Sequence, residues 1–153
     1  DGYFHDRDWP LLGGGKMKPA EYWHNEHPLG LTGLKRYSVA VHDIDAASKF
    51  FQSFVSAKVI YEEPRPQVAG RAIGLQVSDD VVELMTPVGD GPLRRHLYRY
   101  GDGIRATVFG VRDLEQARSY FTARGVEPVP GDAPKSIAIP PEANMGVLFE
   151  FAE

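Results

Sequence analysis

The chain has 153 residues, of which 42% are apolar and 25% are charged, so it is long enough to bury a hydrophobic core as one domain. Its formal net charge of -4 argues against a surface that binds nucleic acid, and the absence of cysteine excludes disulfides, thiolate metal sites and cysteine nucleophiles. No apolar run approaches the roughly 18–20 residues that a membrane span requires. These features predict a cytoplasmic protein whose partners include neither nucleic acid nor a membrane.

Residues 1–32 differ from the rest of the chain because they sustain neither the period of a strand nor that of a helix. They include three consecutive glycines at 13–15, together with Trp9 and Trp23. The pattern predicts an extended arm or an inter-domain linker whose aromatic side chains pack on this domain, on a second subunit or on an upstream module. Since the chain starts at Asp1 and lacks an initiator methionine, we also expect upstream sequence to be missing.

An internal repeat begins after this arm. Residues 41–51 match residues 111–121 at a constant offset of 70, with valine, aspartate, an aliphatic residue, an acid, alanine, an aromatic residue and phenylalanine in equivalent places. In each copy a β-rich run leads into an aspartate, Asp43 or Asp113, at the position where a side chain caps a helix N-terminus. Apolar residues then recur at three- and four-residue spacing, which predicts one amphipathic helix in each half.

The repeat continues after each predicted helix at an offset of 67, where Val59 matches Val126 and residues 82–84 match residues 149–151. Strand-like segments bounded by proline, glycine and aspartate lie between these anchors. They span residues 59–63, 71–77, 81–86, 126–129, 136–139 and 147–151. Each half therefore has the order β-α-β-β-β of an α+β fold. The alternative is a generic α+β sandwich whose two halves are similar by chance. The shared order of the matched stretches disfavours this alternative.

These motifs resemble those of the vicinal-oxygen-chelate superfamily, which includes glyoxalase, bleomycin-resistance and extradiol dioxygenase proteins, over about residues 33–152. The closing run 139–151 is similar to the methylmalonyl-CoA epimerase branch. The resemblance implies two βαβββ modules, residues 33–87 and 103–153, which form an open cup-shaped mixed sheet behind the N-terminal arm. Residues 88–102 connect the modules, either as a lid over the cup or, as we expect, as a solvated linker.

The resemblance also implies a divalent metal at the floor of the cup, held by the first and last strands of each module. The first-strand positions, seven residues before each turn aspartate, are Arg36 and Ala106 here, and the last-strand positions are Glu83 and Glu150. Because a permanent guanidinium charge repels a divalent cation, we predict no tightly bound transition metal and no other cofactor. A metal site is the alternative if the strand registers differ, or if a histidine from the arm or a partner enters the cup.

Arg36 and the two glutamates each have two interpretations. Arg36 either pairs with Glu83 or Glu150 in the structural place of the metal, or anchors a carboxylate, phenolate or enolate of a ligand through its planar donor fork. A register slip of one residue would instead put Arg36 on the outer face of the sheet. The glutamates are either simple ion-pair partners or, since they lie in apolar strands, acid/base groups with raised pKa values.

These features together predict a metal-independent enzyme that carries out isomerase- or lyase-type proton transfer next to a carbonyl on a small anionic or aromatic molecule. Glu83 and Glu150 are its candidate catalytic groups, and Arg36 is its candidate substrate-binding residue. The alternatives are a non-catalytic binding or resistance module, a non-catalytic half of a larger protein, and a metal-dependent lyase, dioxygenase or epimerase. For assembly we expect a homodimer or packing against an upstream module.

Overall fold

The computed structural model describes residues 18–153, so the part of the predicted arm before residue 18 lies outside the described residues. The first half comprises strand β1 (Leu31–Ala40), helix α1 (Ile44–Phe54) and strands β2 (Lys58–Arg65), β3 (Gly70–Val77) and β4 (Asp80–Pro87). Helix α2 (Pro92–Tyr100) connects the halves. The second half comprises strand β5 (Gly103–Val111), helix α3 (Leu114–Thr122) and strands β6 (Val129–Pro130), β7 (Ser136–Ile139) and β8 (Phe149–Ala152). Within this part of the chain, every helix is too short or too polar to cross a membrane.

The eight strands form one mixed sheet in the order β2-β3-β4-β1-β5-β8-β7-β6. Strands β1 and β5 pair antiparallel at its centre, and each pairs in parallel with the last strand of its own half, β4 or β8. The sheet is a curled open half-barrel made of two βαβββ halves, which confirms the predicted α+β cup.

Neighbouring residues on the strands of the first half pack against different helices. Ile73 and Leu84 belong to a buried cluster with Ile44 of α1, whereas Ala72 and Met85 belong to a cluster that includes two leucines of α2. Because successive strand residues point to opposite faces, α1 covers the outer face of the sheet and α2 lies over its concave face. Helix α3 packs on β7 and β8 of the second half through a third cluster.

Helix α2 does more than connect the two halves. Leu93 and Leu97, at 0% and 3% exposure, pack with Ala40, Ala72 and Met85 on the concave face. The prediction of a solvated linker is therefore wrong for this side of the helix. Two leucines at four-residue spacing form an apolar stripe, and burying that stripe stabilises the helix against the sheet. Helix α2 consequently closes one end of the cup.

The two predicted helix caps are present and equivalent. The Asp43 side chain accepts a hydrogen bond from the backbone N–H of Ala46, and Asp113 accepts one from Gln116, both at 2.9 Å. An acidic residue also lies in the first turn of each helix, where the helix dipole favours negative charge. The repeat therefore encodes the same strand-to-helix turn twice.

Two strands of the second half are shorter than predicted. Strand β6 comprises only Val129–Pro130 instead of residues 126–129, because the prolines of this segment have no N–H to donate to a neighbouring strand. Strand β8 starts at Phe149 because the chain turns at Gly146, whose φ of +85° suits glycine.

The described part of the arm, residues 18–32, packs on the second half and on the sheet. A π-helical turn over Tyr22–Glu26 precedes β1. The ring of His27 then lies 5.1 Å from the ring of Tyr120 on α3, and Leu29 is part of the buried cluster beneath that helix. We expected the aromatic arm to pack on this domain, on a second subunit or on an upstream module. Its described residues contact this domain.

Candidate functional site

The register of the central strands brings the four positions expected at the metal site to one face: Arg36, Glu83, Ala106 and Glu150. On β1, Ser38 lies beside Glu83 of β4 and beside Ala106 of β5. On β5, Val108 lies beside Arg36 of β1 and beside Glu150 of β8. Because residues two apart on a strand share a face, all four positions belong to the floor of the cup.

Arg36 lies between the two glutamates. Its Nε is 3.5 Å from Oε2 of Glu83, and its Nη2 is 3.8 Å from Oε1 of Glu150. The side chain is 10% exposed, and its buried Nε has no hydrogen-bond partner within residues 18–153. Arg36 therefore points into the cup, as the predicted register requires, and a one-residue slip to the outer face does not occur.

Glu83 is held by a second buried arginine and by a phenol. Its Oε2 accepts hydrogen bonds from Nη2 of Arg65 at 2.6 Å and from the hydroxyl of Tyr61 at 2.7 Å. Arg65 also donates from Nη1 to Glu63 at 2.6 Å. Burial, the charge of Glu83 and the hydrogen bond to it raise the pKa of the Tyr61 hydroxyl, so that hydroxyl stays a donor. Glu83 is thus engaged in structural contacts.

The sequence motifs did not reveal Tyr61 and Arg65, because β2 carries only Val59 of the repeated pattern. One signal was available in Gly74, a glycine within a strand, which often marks a close approach of another group. A Cβ at Gly74 would lie 2.2 Å from the Tyr61 ring. The missing side chain is therefore what lets the ring cross β3 and reach Glu83.

Glu150 has a different environment from Glu83. Its Oε1 accepts hydrogen bonds from the hydroxyl of Ser136 at 2.5 Å and from the backbone N–H of Ala133 at 3.1 Å. Burial raises the pKa of Glu150 and the nearby charge of Asp132 raises it further, while the two hydrogen bonds and Arg36 act in the opposite direction. The net result is a carboxyl that holds its proton to higher pH than usual.

The two buried guanidinium groups, those of Arg36 and Arg65, face the buried carboxyl groups of Glu83 and Glu150. Glu63, which pairs with the other end of Arg65, has a side chain that is 51% exposed. Because burial raises the pKa of Glu150, this carboxyl is suited to exchange a proton.

These residues do not fit a divalent metal. Arg36 occupies the space between the two carboxylates, and Ala106 offers no donor atom. Both carboxylate oxygens nearest to Arg36 already accept two hydrogen bonds each. Within residues 18–153, no three side chains of histidine, cysteine, aspartate or glutamate converge to hold a metal ion. Transition-metal sites need several such donors around an open position.

A first cleft, of about 610 Å³, opens beside Arg36. Tyr61 and Arg65 line it from the first half, and the loop 133–135 lines it from the second half. We call it the arginine cleft. Glu83 and Glu150, each 1% exposed, do not line it. Its other charged lining residues are Lys35, Glu63, Lys135 and Glu153. A ligand in this cleft would meet these groups and the two guanidinium groups before it met Glu83 or Glu150.

A second cleft, of about 530 Å³, lies beside the C-terminal end of α2. Its wall includes His96, Tyr100, Arg105 and Ala106. We call it the helix cleft. Arg105 is fixed by Asp132, with Nε at 2.6 Å and Nη2 at 3.0 Å from the two carboxylate oxygens. Burial lowers the pKa of His96 and the charge of Arg105 lowers it further, so the imidazole is neutral near pH 7.

Solved structures of similar fold include epimerases. Methylmalonyl-CoA epimerase from Mycobacterium tuberculosis is 25% identical, with a TM-score of 0.74 over 79% of this chain and 87% of that chain. A hypothetical protein from Bacillus halodurans C-125 is 26% identical, with a TM-score of 0.69 over 77% and 91%. A Streptomyces coelicolor methylmalonyl-CoA epimerase variant is 23% identical, with a TM-score of 0.72 over 79% and 96%, which shows the shared fold.

These similarities confirm the predicted likeness to the epimerase branch. A search of curated protein sequences gave no significant match. The family model of the Glyoxalase/Bleomycin resistance protein/Dioxygenase superfamily matches residues 33–136, which is more than half of the chain and covers the first half and the second half as far as the start of β7. The chain therefore belongs to the Glyoxalase/Bleomycin resistance protein/Dioxygenase superfamily.

Proposed function

We propose that this superfamily member binds a small anionic organic molecule over the floor of its cup and needs no transition metal to do so. The position of Arg36 supports this proposal most directly. Its guanidinium lies 3.5 Å and 3.8 Å from the two carboxyl groups at the place where a metal-binding histidine is expected, and it lines the arginine cleft. A guanidinium fork binds a carboxylate or an enolate through charge-assisted hydrogen bonds.

We further propose that the bound molecule undergoes proton transfer at a carbon next to a carbonyl group. Glu150, in its ionised form, removes the proton from that carbon and becomes a neutral carboxyl. The electron pair moves onto the carbonyl oxygen as an enolate, whose charge Arg36 stabilises. Return of the proton to either face of the carbon gives an isomerase-type outcome. Departure of a β-substituent from the enolate gives a lyase-type outcome.

The ligands of structurally similar proteins support this ligand class. A Streptomyces coelicolor epimerase variant was solved with 2-nitronate-propionyl-CoA, and a methylmalonyl-CoA epimerase was solved with methylmalonyl-CoA. Both compounds carry a negative charge close to an acyl carbonyl. We propose for this chain a small carbonyl compound with a carboxylate or equivalent anionic group near the reacting carbon.

Proton exchange in D₂O tests the reaction. Malonate, methylmalonate, pyruvate and methylmalonyl-CoA would be incubated with the protein in the presence of EDTA, and loss of the C–H signal would be followed by proton NMR. We expect one of these classes to exchange faster with protein than without. The Glu150→Gln variant should lose the exchange and keep the binding. The matched control Glu62→Gln, at an exposed glutamate of β2 that does not line the arginine cleft, should keep both.

A non-catalytic binding module is the second candidate, and the burial of both carboxyl groups favours it. Glu83 and Glu150 are each 1% exposed, and neither lines the arginine cleft. On this alternative the anion binds to Arg36 and Arg65 and is held without chemical change. Two results together would assign the protein to this class. An anion would bind saturably, with weaker binding to Arg36→Met, and no bound compound would exchange its C–H protons at any pH.

We propose that the outer side of α1 packs against a second copy of this chain or against an upstream module. We also propose that the protein functions in the cytoplasm. Phe50 and Phe54 stack at 5.2 Å and are 56% and 73% exposed, and Val59 and Ile60 of the edge strand β2 are also exposed. Contiguous exposed apolar groups often mark an interface. Light scattering during gel filtration, on the native protein and on Phe54→Ser, would measure the mass in solution. A monomer in both samples would argue against a homodimer.

A further inference from the structure

The helix cleft has the size and the wall chemistry of a small-molecule site. Its volume of about 530 Å³ falls within the range of roughly 300–1,000 Å³ that is usual for ligand pockets. Most of its wall is apolar or aromatic, and these lining residues are Tyr100, Ile104, Ala106, Pro141, Val147 and Leu148. Ile104 and Tyr100, although apolar or aromatic, are 67% and 65% exposed. A ligand that covered them would gain from their removal from water.

The charges at this cleft favour an uncharged ligand. The two hydrogen bonds between Arg105 and Asp132 match one positive charge with one negative charge. The other charged residue of the wall, Asp102, accepts a hydrogen bond from the backbone N–H of His42 at 3.0 Å. The described residues of the wall therefore offer no unpaired cation to an anionic ligand, and the Arg105 guanidinium disfavours a cation. The same pair holds the Arg105 guanidinium in a fixed plane, and such a plane stacks well on an aromatic ring.

His96 adds a hydrogen-bonding group to the wall of the helix cleft. The imidazole lines the cleft 5.0 Å from the ring of Tyr100, and it makes no hydrogen bond to another residue in the range 18–153. A neutral imidazole offers one donor and one acceptor nitrogen. The charged groups that act on the imidazole are those of Arg105 and Asp132, which form an ion pair with each other. The ring is therefore free to bond a polar atom of a ligand.

We propose that the helix cleft binds an uncharged aromatic group that carries one hydrogen-bonding atom, with the ring stacked on Arg105 and the polar atom bonded to His96. A phenol or an aryl ketone has this chemistry. The site goes beyond the proposed function, because it adds a place for an aromatic group that is distinct from the arginine cleft. It does not depend on proton transfer by Glu150.

The probe is 4-methylphenol, titrated into the full chain and followed by NMR of the imidazole and methyl resonances. We expect saturable shifts at His96, Ile104 and Leu148. Toluene, which lacks the hydroxyl, should bind about fivefold more weakly, as expected for one lost hydrogen bond of about 1 kcal/mol. His96→Phe should remove that preference for the phenol, while toluene binding stays within about twofold.

Further variants separate the helix cleft from the rest of the site. Ala106→Phe fills the cleft and should abolish the shifts. Tyr100→Ala should weaken binding, whereas Tyr98→Ala, an exposed tyrosine of the same helix outside the cleft, should not. Arg36→Met should keep phenol binding even if anion binding at the arginine cleft fails. Shifts that map away from the helix cleft, or equal binding by the native and Ala106→Phe proteins, would overturn the proposal.

Discussion

Replacing Arg36 with methionine removes the cation between Glu83 and Glu150 and keeps a long apolar side chain in its place. Two unit charges 3.5–3.8 Å apart attract by about 4–5 kcal/mol at an effective dielectric constant near 20. Removing one partner of a buried ion pair costs about 3–5 kcal/mol. Glu83 keeps Arg65 and Tyr61, and Glu150 can take up a proton. We therefore expect a loss of about 2–3 kcal/mol in the free energy of unfolding at pH 7.

Urea unfolding followed by circular dichroism measures this loss, which corresponds to a fall of roughly 5–10 °C in Tm for a domain of this size. Lys35→Met is the matched control, because Lys35 is an exposed cation next to Arg36 on the same strand. It should change the stability by less than about 0.5 kcal/mol. The deficit of the Arg36 variant should shrink at lower pH as Glu150 becomes protonated. Equal stability of the Arg36 variant and the native protein at pH 7 would refute the buried-cation account.

Three further substitutions test the surroundings of the glutamates. Burial raises the pKa of Glu150 above its ordinary value of 4.5, so the native state gains stability from this proton below pH 4.5 and loses that gain as pH rises through the folded-state pKa. Glu150→Gln should flatten this fall in stability when urea midpoints are measured from pH 4 to 8. An unchanged dependence of the midpoint on pH would contradict this expectation. Ser136→Ala removes a hydrogen bond that lowers the pKa of Glu150, so carbon-13 NMR should show this carboxyl titrating at still higher pH, and a downward shift would show the assignment to be wrong. Gly74→Ala places a Cβ 2.2 Å from the Tyr61 ring and should cost about 1–3 kcal/mol in urea unfolding; a neutral effect would mean that the ring does not cross β3.

The fold could be predicted because it is encoded locally and twice. The turn aspartates Asp43 and Asp113, the apolar helix faces and the strand segments repeat in the same order, and each of these signals acts over a few residues. The structure departs from the prediction where the local signal is weak. The prolines around β6 shorten that strand, and the leucine stripe of α2 lies on the concave face although its surrounding composition is that of a linker.

The site could be predicted only where the repeat carries it. The positions of Arg36, Glu83 and Glu150 follow from their distance to the repeated turns, and the structure brings these side chains together. Tyr61 and Arg65 could not be found in this way, since they reach Glu83 from an edge strand of which only Val59 belongs to the repeat.

The direction of the Arg105 side chain could not be predicted from the sequence, for a related reason. A register shift in the pairing of β1 with β5, between Ser38 and Val39, gives β5 an extra residue at this point and interrupts the usual alternation of side chains. Simple alternation from Ala106 would place Arg105 on the outer face. In the structure its guanidinium instead meets Asp132 and lines the helix cleft. A bulge of this kind depends on contacts between strands and leaves no local sequence pattern.

Metal content is the most direct test of the claim that the Arg36 guanidinium occupies the superfamily's metal position. Native protein purified without chelators would be analysed by elemental mass spectrometry and titrated calorimetrically with zinc, nickel and cobalt. The double variant Arg36→His, Ala106→His, which restores both imidazoles, serves as the comparison. We expect the native protein to hold far less than one equivalent of metal and the double variant to bind cobalt. One equivalent of metal in the native protein, lost in Glu83→Gln or Glu150→Gln, would contradict the account.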